Sequence, residues 1–221
     1  MDKFIVRGMP EQIARDDLEL LSGVETATVG HWRVFGFMDR GIQGLLRGKR
    51  VVGTAVTLAI PGPDSTLLHH CIGKLRPGDI LVVDRLGDNR HACWGGAVTV
   101  AAKAAGAVAG IVDGPCTDIA EIEGSDFPMW CRGLSPITTR LYALGGGFNV
   151  PVSCGGVPVL PGDAILADES GVLALPPGDV RDVAREALRR QQVGGAREEQ
   201  IRQGALLGDL SGASAKISSC A

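Results

Sequence analysis

Aromatic side chains are scarce in this 221-residue chain, at 4% of residues, so its core must be built mainly from aliphatic groups. A basic surplus is missing as well: 22 Lys and Arg stand against 25 Asp and Glu, a formal charge of −3. A nucleic-acid surface needs a basic field to displace counterions, and no dense Lys/Arg cluster supplies one. Nucleic acid is therefore excluded as a direct partner. Long apolar runs are also absent. Met1 to Pro10 lacks the hydrophobic stretch of a signal peptide, and the most apolar window, Ala97 to Val112, is interrupted by Lys103 and two glycines. The sequence thus predicts a cytoplasmic protein with no membrane association. No CxxC occurs among Cys71, Cys93, Cys116, Cys131, Cys154 and Cys220, which removes the usual zinc signature. With no support for secretion, these are read as reduced thiols.

What is present is the balance of a globular chain, 45% hydrophobic and 21% charged, with 32 glycines to supply turns. The length suits one large domain. Pro10 to Leu21 has helical periodicity, and His31 to Leu46 is predicted as a second helical stretch. Val51 to Ile60 reads as a β-branched strand stopped by Pro61-Gly62-Pro63. Leu67 to Lys74 is a short helix, and Ile80 to Val83 a buried strand delivering Asp84. A helix over Gly96 to Ala105 precedes the strand Ala109 to Val112. Thr117 to Glu123 offers one or two helical turns, Phe127 to Cys131 and Val150 to Ser153 are strands, and Val172 to Leu175 completes a hairpin. The tail, Val180 to Leu207, reads as two helices split at Gly194-Gly195. One echo recurs: Pro77-Gly78-Asp79 leads through four residues to Asp84, and Pro161-Gly162-Asp163 through four to Asp168. Similar turns and a structural duplication both account for it.

Two segments could carry chemistry. The loop from Gly87 to Gly95 follows a strand and opens a helix, so the free amides of Gly95, Gly96, Ala97 and Val98 could bind a carboxylate or phosphate. A tight connection without a ligand fits the same pattern. The second segment, Asp113 to Asp118, follows another buried strand. Asp118 could hold a hard divalent cation through one oxygen or merely cap the next helix. His31, His69, His70 and His91 show no metal-ligand spacing, although His91 lies near the proposed anion loop. Cys116, beside a helix start, lacks a partner base and reads as a small buried residue.

The order of these motifs resembles a known family. Gly53-Thr54-Ala55-Val56-Thr57, Pro77-Gly78-Asp79 with Asp84, the loop ending at Gly95, and Asp113-Gly114 with Asp118 five residues past Asp113 match its successive segments. Phe127-Pro128, Arg132-Gly133, Pro151-Val152, Gly155-Gly156-Val157, Pro161-Gly162-Asp163, Asp168, Gly171-Val172 and Pro176 continue the match. The chain resembles the RraA-like family, which includes 4-hydroxy-4-methyl-2-oxoglutarate aldolases and the regulator of ribonuclease E activity. The resemblance implies an α/β fold: a swivelling-type β/β/α domain similar to phosphohistidine domains, with helical N- and C-terminal flanks. One domain would span residues 1–221, with its core at about 51–177 and a helical tail at about 178–210, assembled as a homotrimer or hexamer. It also implies a lyase of small 2-oxo-acids dependent on magnesium or manganese, acting as a pyruvate aldolase, an oxaloacetate decarboxylase or both. By position, Gly95, Gly96, Ala97 and Val98 would bind the substrate carboxylate and Asp118 the metal. Glu198 of a neighbouring subunit would complete the site, with Glu199 as the substitute.

Two residues depart from that pattern. The arginine preceding the metal aspartate is Thr117 here, a neutral side chain at a substrate-binding position, and a hydroxyl cannot replace a guanidinium. Removing such a stabiliser costs on the order of a hundredfold in rate. The acid that the aldolases carry in the anion loop is Gly96. Arg90, Arg132 and Arg140 are the candidates to restore the charge. The alternative function is a non-catalytic RraA-like binding or regulatory protein.

Overall fold

The computed structural model describes residues 2–220. In chain order the strands are β1 (Phe4–Val6), β2 (Gln43–Gly44), β3 (Val51–Ala59), β4 (Asp79–Asp84), β5 (Ala109–Asp113), β6 (Met129–Cys131), β7 (Gly146–Phe148), β8 (Val152–Cys154), β9 (Val157–Val159), β10 (Ala164–Asp168) and β11 (Gly171–Leu175). The helices are α1 (Arg15–Ser22), α2 (Thr26–Gly30), α3 (Thr66–Cys71), α4 (Gly96–Ala105), α5 (Ile119–Gly124), α6 (Val180–Arg202), α7 (Leu207–Ser211) and α8 (Ala213–Ser218).

β3 organises the sheet because six consecutive residues of its nine, Gly53 to Leu58, are buried, as a strand covered on both faces requires. The strands run β1-β7-β3-β4-β5-β6-β2, and the β10–β11 hairpin also joins β3. β3, β4, β5 and β6 are mutually parallel. Parallel neighbours need crossovers, which α3, α4 and α5 supply, so the segments after β4 and β5 emerge at one edge of the sheet. Alternation along the strands separates two cores. Leu81, Val83 and Val112 pack with Leu68, Trp94 and Ile122 on the helical side, while Ile80, Val82 and Ile111 pack with Val152, Val157 and Ile165 on the other. A third cluster joins Leu21, Val29, Val180 and Ala184 of the helical flanks to Leu166 and Leu173 of the hairpin. No helix among the described residues is long and apolar enough to cross a membrane.

The repeated Pro-Gly-Asp segment is a shared turn. Arg76 N–H donates to Asp79 Oδ2 and Leu160 N–H to Asp163 Oδ2, both at 2.8 Å, with Gly78 and Gly162 in the left-handed region that such a turn demands. The two strands that follow flank β3, β4 parallel to it and β10 antiparallel. Asp84 and Asp168 then each accept the amide two residues on.

The structure corrects two expectations. His31 to Leu46 is not helical: Gly36 has a φ of +92°, Phe37 bridges Leu173, and Gln43–Gly44 pairs with β6. Its apolar residues serve different cores, Met38 and Ile42 joining one and Phe37 packing against another. Gly194-Gly195 does not split the tail either, since α6 continues unbroken to Arg202. Ion pairs of Glu186 with Arg189 and Arg190, and of Arg202 with Glu198 and Glu199, brace it on both sides of the glycines.

Candidate functional site

The site starts from the connection between β4 and α4. Buried Arg85 donates from Nη2 to the carbonyls of Gly62 and His91, tying this loop to the one after β3. Asp88 accepts from the Arg90 and His91 amides at 3.0 and 2.8 Å and meets His91 Nδ1 at 2.9 Å. Burial opposes ionisation of Asp88, but these bonds outweigh it and hold its pKa below the usual carboxylate range. His91 is thus a loop brace. Farther along, Trp94 Nε1 donates to Thr99 Oγ1, which itself donates to the Gly95 carbonyl, both at 2.9 Å. That chain of bonds fixes the first turn of α4.

Gly95 has no side chain with which to cap α4, and Asp118 supplies the missing acceptor. Gly96 N–H donates to Asp118 Oδ2 at 3.1 Å. Asp118 reaches back because its backbone is left-handed, at φ 53° and ψ 45°, a conformation aspartate tolerates better than most residues. Its side chain makes no capping bond to α5. The choice between cap and functional carboxylate therefore resolves in an unexpected way: Asp118 caps the neighbouring helix, at the point proposed for anion binding.

Glu121 also converges there, and the sequence analysis missed it. A Cβ on Gly96 would overlap the Glu121 carboxylate, and one on Gly95 would overlap that of Asp118. Glu121 therefore places an acid in the volume that a residue-96 side chain would fill. The sequence places Asp118 and Glu121 three apart, but only the left-handed backbone of Asp118 and the packing of α5 beside α4 bring both carboxylates to this corner.

A cavity of about 200 Å³ lies over this corner, lined by Gly95, Gly96, Ala97, Val98, Thr117 and Asp118. His69, Thr138, Thr139 and Arg140 also line it. The structure thus brings together six of the seven predicted site residues. Glu198 stands apart: it pairs with Arg202 at 3.2 Å and lines a different cavity, between α2 and α6, with Glu25, His31 and Arg189. Cys93 also borders the Asp118 cavity, but burial pushes its thiol up to about 11, leaving it protonated at neutral pH. Cys116 is raised too, by its contact with the Cys131 sulfur and by burial, in keeping with a structural thiol.

The donor set suits a hard cation only in part. No group of three His, Cys, Asp or Glu residues converges among the described residues. Magnesium, however, is commonly held by one or two carboxylates, with water and substrate filling the remaining positions. Asp118, exposed and one residue before the helix that carries Glu121, fits that role.

Comparison with known proteins gives a consistent picture. A family model described as RraA-like (Aldolase/RraA) matches residues 26–174. A protein of Halalkalibacterium halodurans, named "Putative 4-hydroxy-4-methyl-2-oxoglutarate aldolase", is 36% identical over 160 residues, covering 72% of this chain and 76% of its own. Among solved structures, Streptomyces coelicolor RraAS2, described as an unusual member of the RNase ES inhibitor RraA protein family, superposes with a TM-score of 0.76. It is 26% identical and covers 85% of this chain and 98% of its own. The RNA-processing inhibitor RraA from Thermus thermophilis, also 26% identical, superposes with a TM-score of 0.62, covering 68% of this chain and 91% of its own.

Proposed function

The chain belongs to the RraA-like family, and on that premise we propose that it is a divalent-cation-dependent lyase of small 2-oxo-acids. The observation that supports this most directly is the Asp118 carboxylate at 3.1 Å from the Gly96 amide, in a cavity that the first turn of α4 also lines. The Ala97 and Val98 amides lie in that turn, where no earlier helical carbonyl can accept from them. They favour an anion such as the carboxylate of a 2-oxo-acid. Asp118 offers oxygens for magnesium or manganese, which would act as a Lewis acid on the substrate's ketone and carboxylate oxygens.

The roles of the chain's own groups follow from the bond to be broken. Retro-aldol cleavage and oxaloacetate decarboxylation both leave an electron pair on the methylene beside a ketone, so one site serves either reaction. The α4 amides hold the carboxylate and orient the scissile bond. Buried Trp94, locked to Thr99, keeps the amides in place. In a homotrimer or hexamer, Glu198 or Glu199 of a neighbouring subunit would close the open side of the cavity.

A second reading, a non-catalytic regulator that binds a protein partner, is favoured by Thr117, which leaves the residue beside Asp118 without the charge of an arginine. Chelator-stripped protein should be incubated with oxaloacetate and with 4-hydroxy-4-methyl-2-oxoglutarate, with and without manganese, and pyruvate followed. The lyase reading expects cation-dependent release that Asp118→Ala abolishes. Release no faster than with manganese alone would favour the regulator.

A further inference from the structure

Two carboxylates converge on the backbone of one residue, Gly96. The position that its missing Cβ leaves open is filled by Glu121: a methyl there would lie 2.6 Å from Glu121 Cδ and 3.1 Å from its Cβ, and would overlap Oε2. Asp118 Oδ2 lies 3.1 Å from the Gly96 nitrogen. Since the N and Cβ of a residue are about 2.5 Å apart, the Asp118 oxygen and the Glu121 carboxyl carbon are separated by no more than about 8 Å.

Neither acid has a cation to face. Among the described residues no Lys, Arg or His pairs with Asp118 or Glu121. Asp118 accepts only from the Gly96 amide and, at 3.2 Å, from the Thr117 hydroxyl, and no donor among these residues reaches the Glu121 carboxylate. Lys103, on α4 itself, donates to the Ser125 carbonyl instead. The start of α4 supplies the equivalent of roughly half a positive charge, too little for two carboxylates. The corner therefore carries surplus negative charge, which opposes an anionic substrate and favours a cation.

We infer that Glu121 is the second carboxylate of the cation site and holds the ion together with Asp118. This deepens the lyase reading and rests on it. Two carboxylates, with water and substrate completing the shell, are a sufficient protein share for magnesium. Glycine at position 96 keeps open the volume that the Glu121 carboxylate needs. The charge surplus also sets an order of binding: the cation neutralises the corner first, and the amides of α4 then accept the substrate carboxylate.

The test is manganese binding to chelator-stripped protein, read from the free-ion electron paramagnetic resonance signal. Glu121→Gln keeps the shape of the side chain and removes its charge, and should weaken binding by about tenfold or more. The double variant Gly96→Asp, Glu121→Gly returns a carboxylate to the same volume from α4. It should regain most of the lost affinity, a recovery that a purely structural Glu121 would not give. Thermal unfolding checks that each variant folds. Binding by Glu121→Gln within about twofold of wild type, or no recovery in the double variant, would overturn the assignment. If Asp118→Ala still abolishes binding in that case, the Asp118 reading stands without Glu121. Pyruvate release from oxaloacetate is followed separately: its absence alongside Glu121-dependent binding would refute the lyase and leave the two-carboxylate site standing.

Discussion

Gly95→Ala tests whether the Asp118 corner is as tightly built as its geometry implies. Gly95 is extended, at φ −147°, so alanine introduces no backbone strain and any effect must come from contacts. Its new methyl would lie 2.8 Å from Thr117 Cγ2 and 3.3 Å from Asp118 Cγ, and closer still to Asp118 Oδ2. Carbon atoms settle at about 3.5–4.0 Å, so Thr117 and Asp118 must retreat by roughly 1 Å. Asp118 is exposed and Thr117 half-buried, so the fold should lose no more than about 1 kcal/mol, the net worth of a hydrogen bond. Function should suffer far more, because displacing a reacting group by about 1 Å costs on the order of a hundredfold. The assays are thermal unfolding and manganese-dependent pyruvate release on the same preparation. A near-native melting temperature with about a hundredfold lower rate is expected. Unchanged turnover would refute the argument that the Gly95–Asp118 contact positions the carboxylate.

Gly96→Ala should disturb the site by displacing Glu121, and Glu121→Ala should relieve that clash, so a double-mutant cycle should show coupling of about 0.5–3 kcal/mol in thermal or denaturant unfolding. Additive effects would place the Glu121 carboxylate elsewhere. Gly194→Ala and Gly195→Ala fall in open space within a continuous helix. Each should raise stability by about 0.5–1 kcal/mol, and unchanged or lower stability would argue for a break in α6. Asp64 is buried; desolvation raises its pKa, but the hydrogen bonds from Thr66, Leu144 and Tyr142 prevail and bring it to about 2. Its folded pKa lies below the unfolded one, so its contribution of about 2 kcal/mol is full above pH ~4 and is lost as pH falls towards 2. Asp64→Asn should therefore lower stability at pH 6 and flatten its acid dependence, as seen in urea unfolding across that range.

The parallel strands could be read from the sequence because burial on both faces leaves near-continuous β-branched runs, as at Val51 to Ile60 and Ala109 to Val112. Their ends locate the loops before α4 and α5, so the pairing of Gly95 to Val98 with Asp118 was legible before any coordinates. What failed was local reasoning where distant contacts decide. His31 to Leu46 has the apolar content of a helix, but its side chains go to separate cores, which no local periodicity reports. Gly194-Gly195 has the composition of a break, but one residue pair with open space around it is outweighed by the ion-paired turns on either side. Glu121 was hidden for a related reason, and of the three candidate arginines only the structure shows that Arg140 borders the cavity. Each reaches the site through the packing of one element on another, α5 on α4 and the segment after β6 on α3.

The central claim is that Asp118 anchors a divalent cation at the start of α4. The most direct test is manganese binding to chelator-stripped protein, followed by the loss of the free-ion electron paramagnetic resonance signal, in wild type and in Asp118→Ala. The account predicts saturable binding of one ion per chain that disappears in the variant while its unfolding transition stays cooperative. Equal binding by both proteins, or none by wild type in the presence of oxaloacetate, would contradict it.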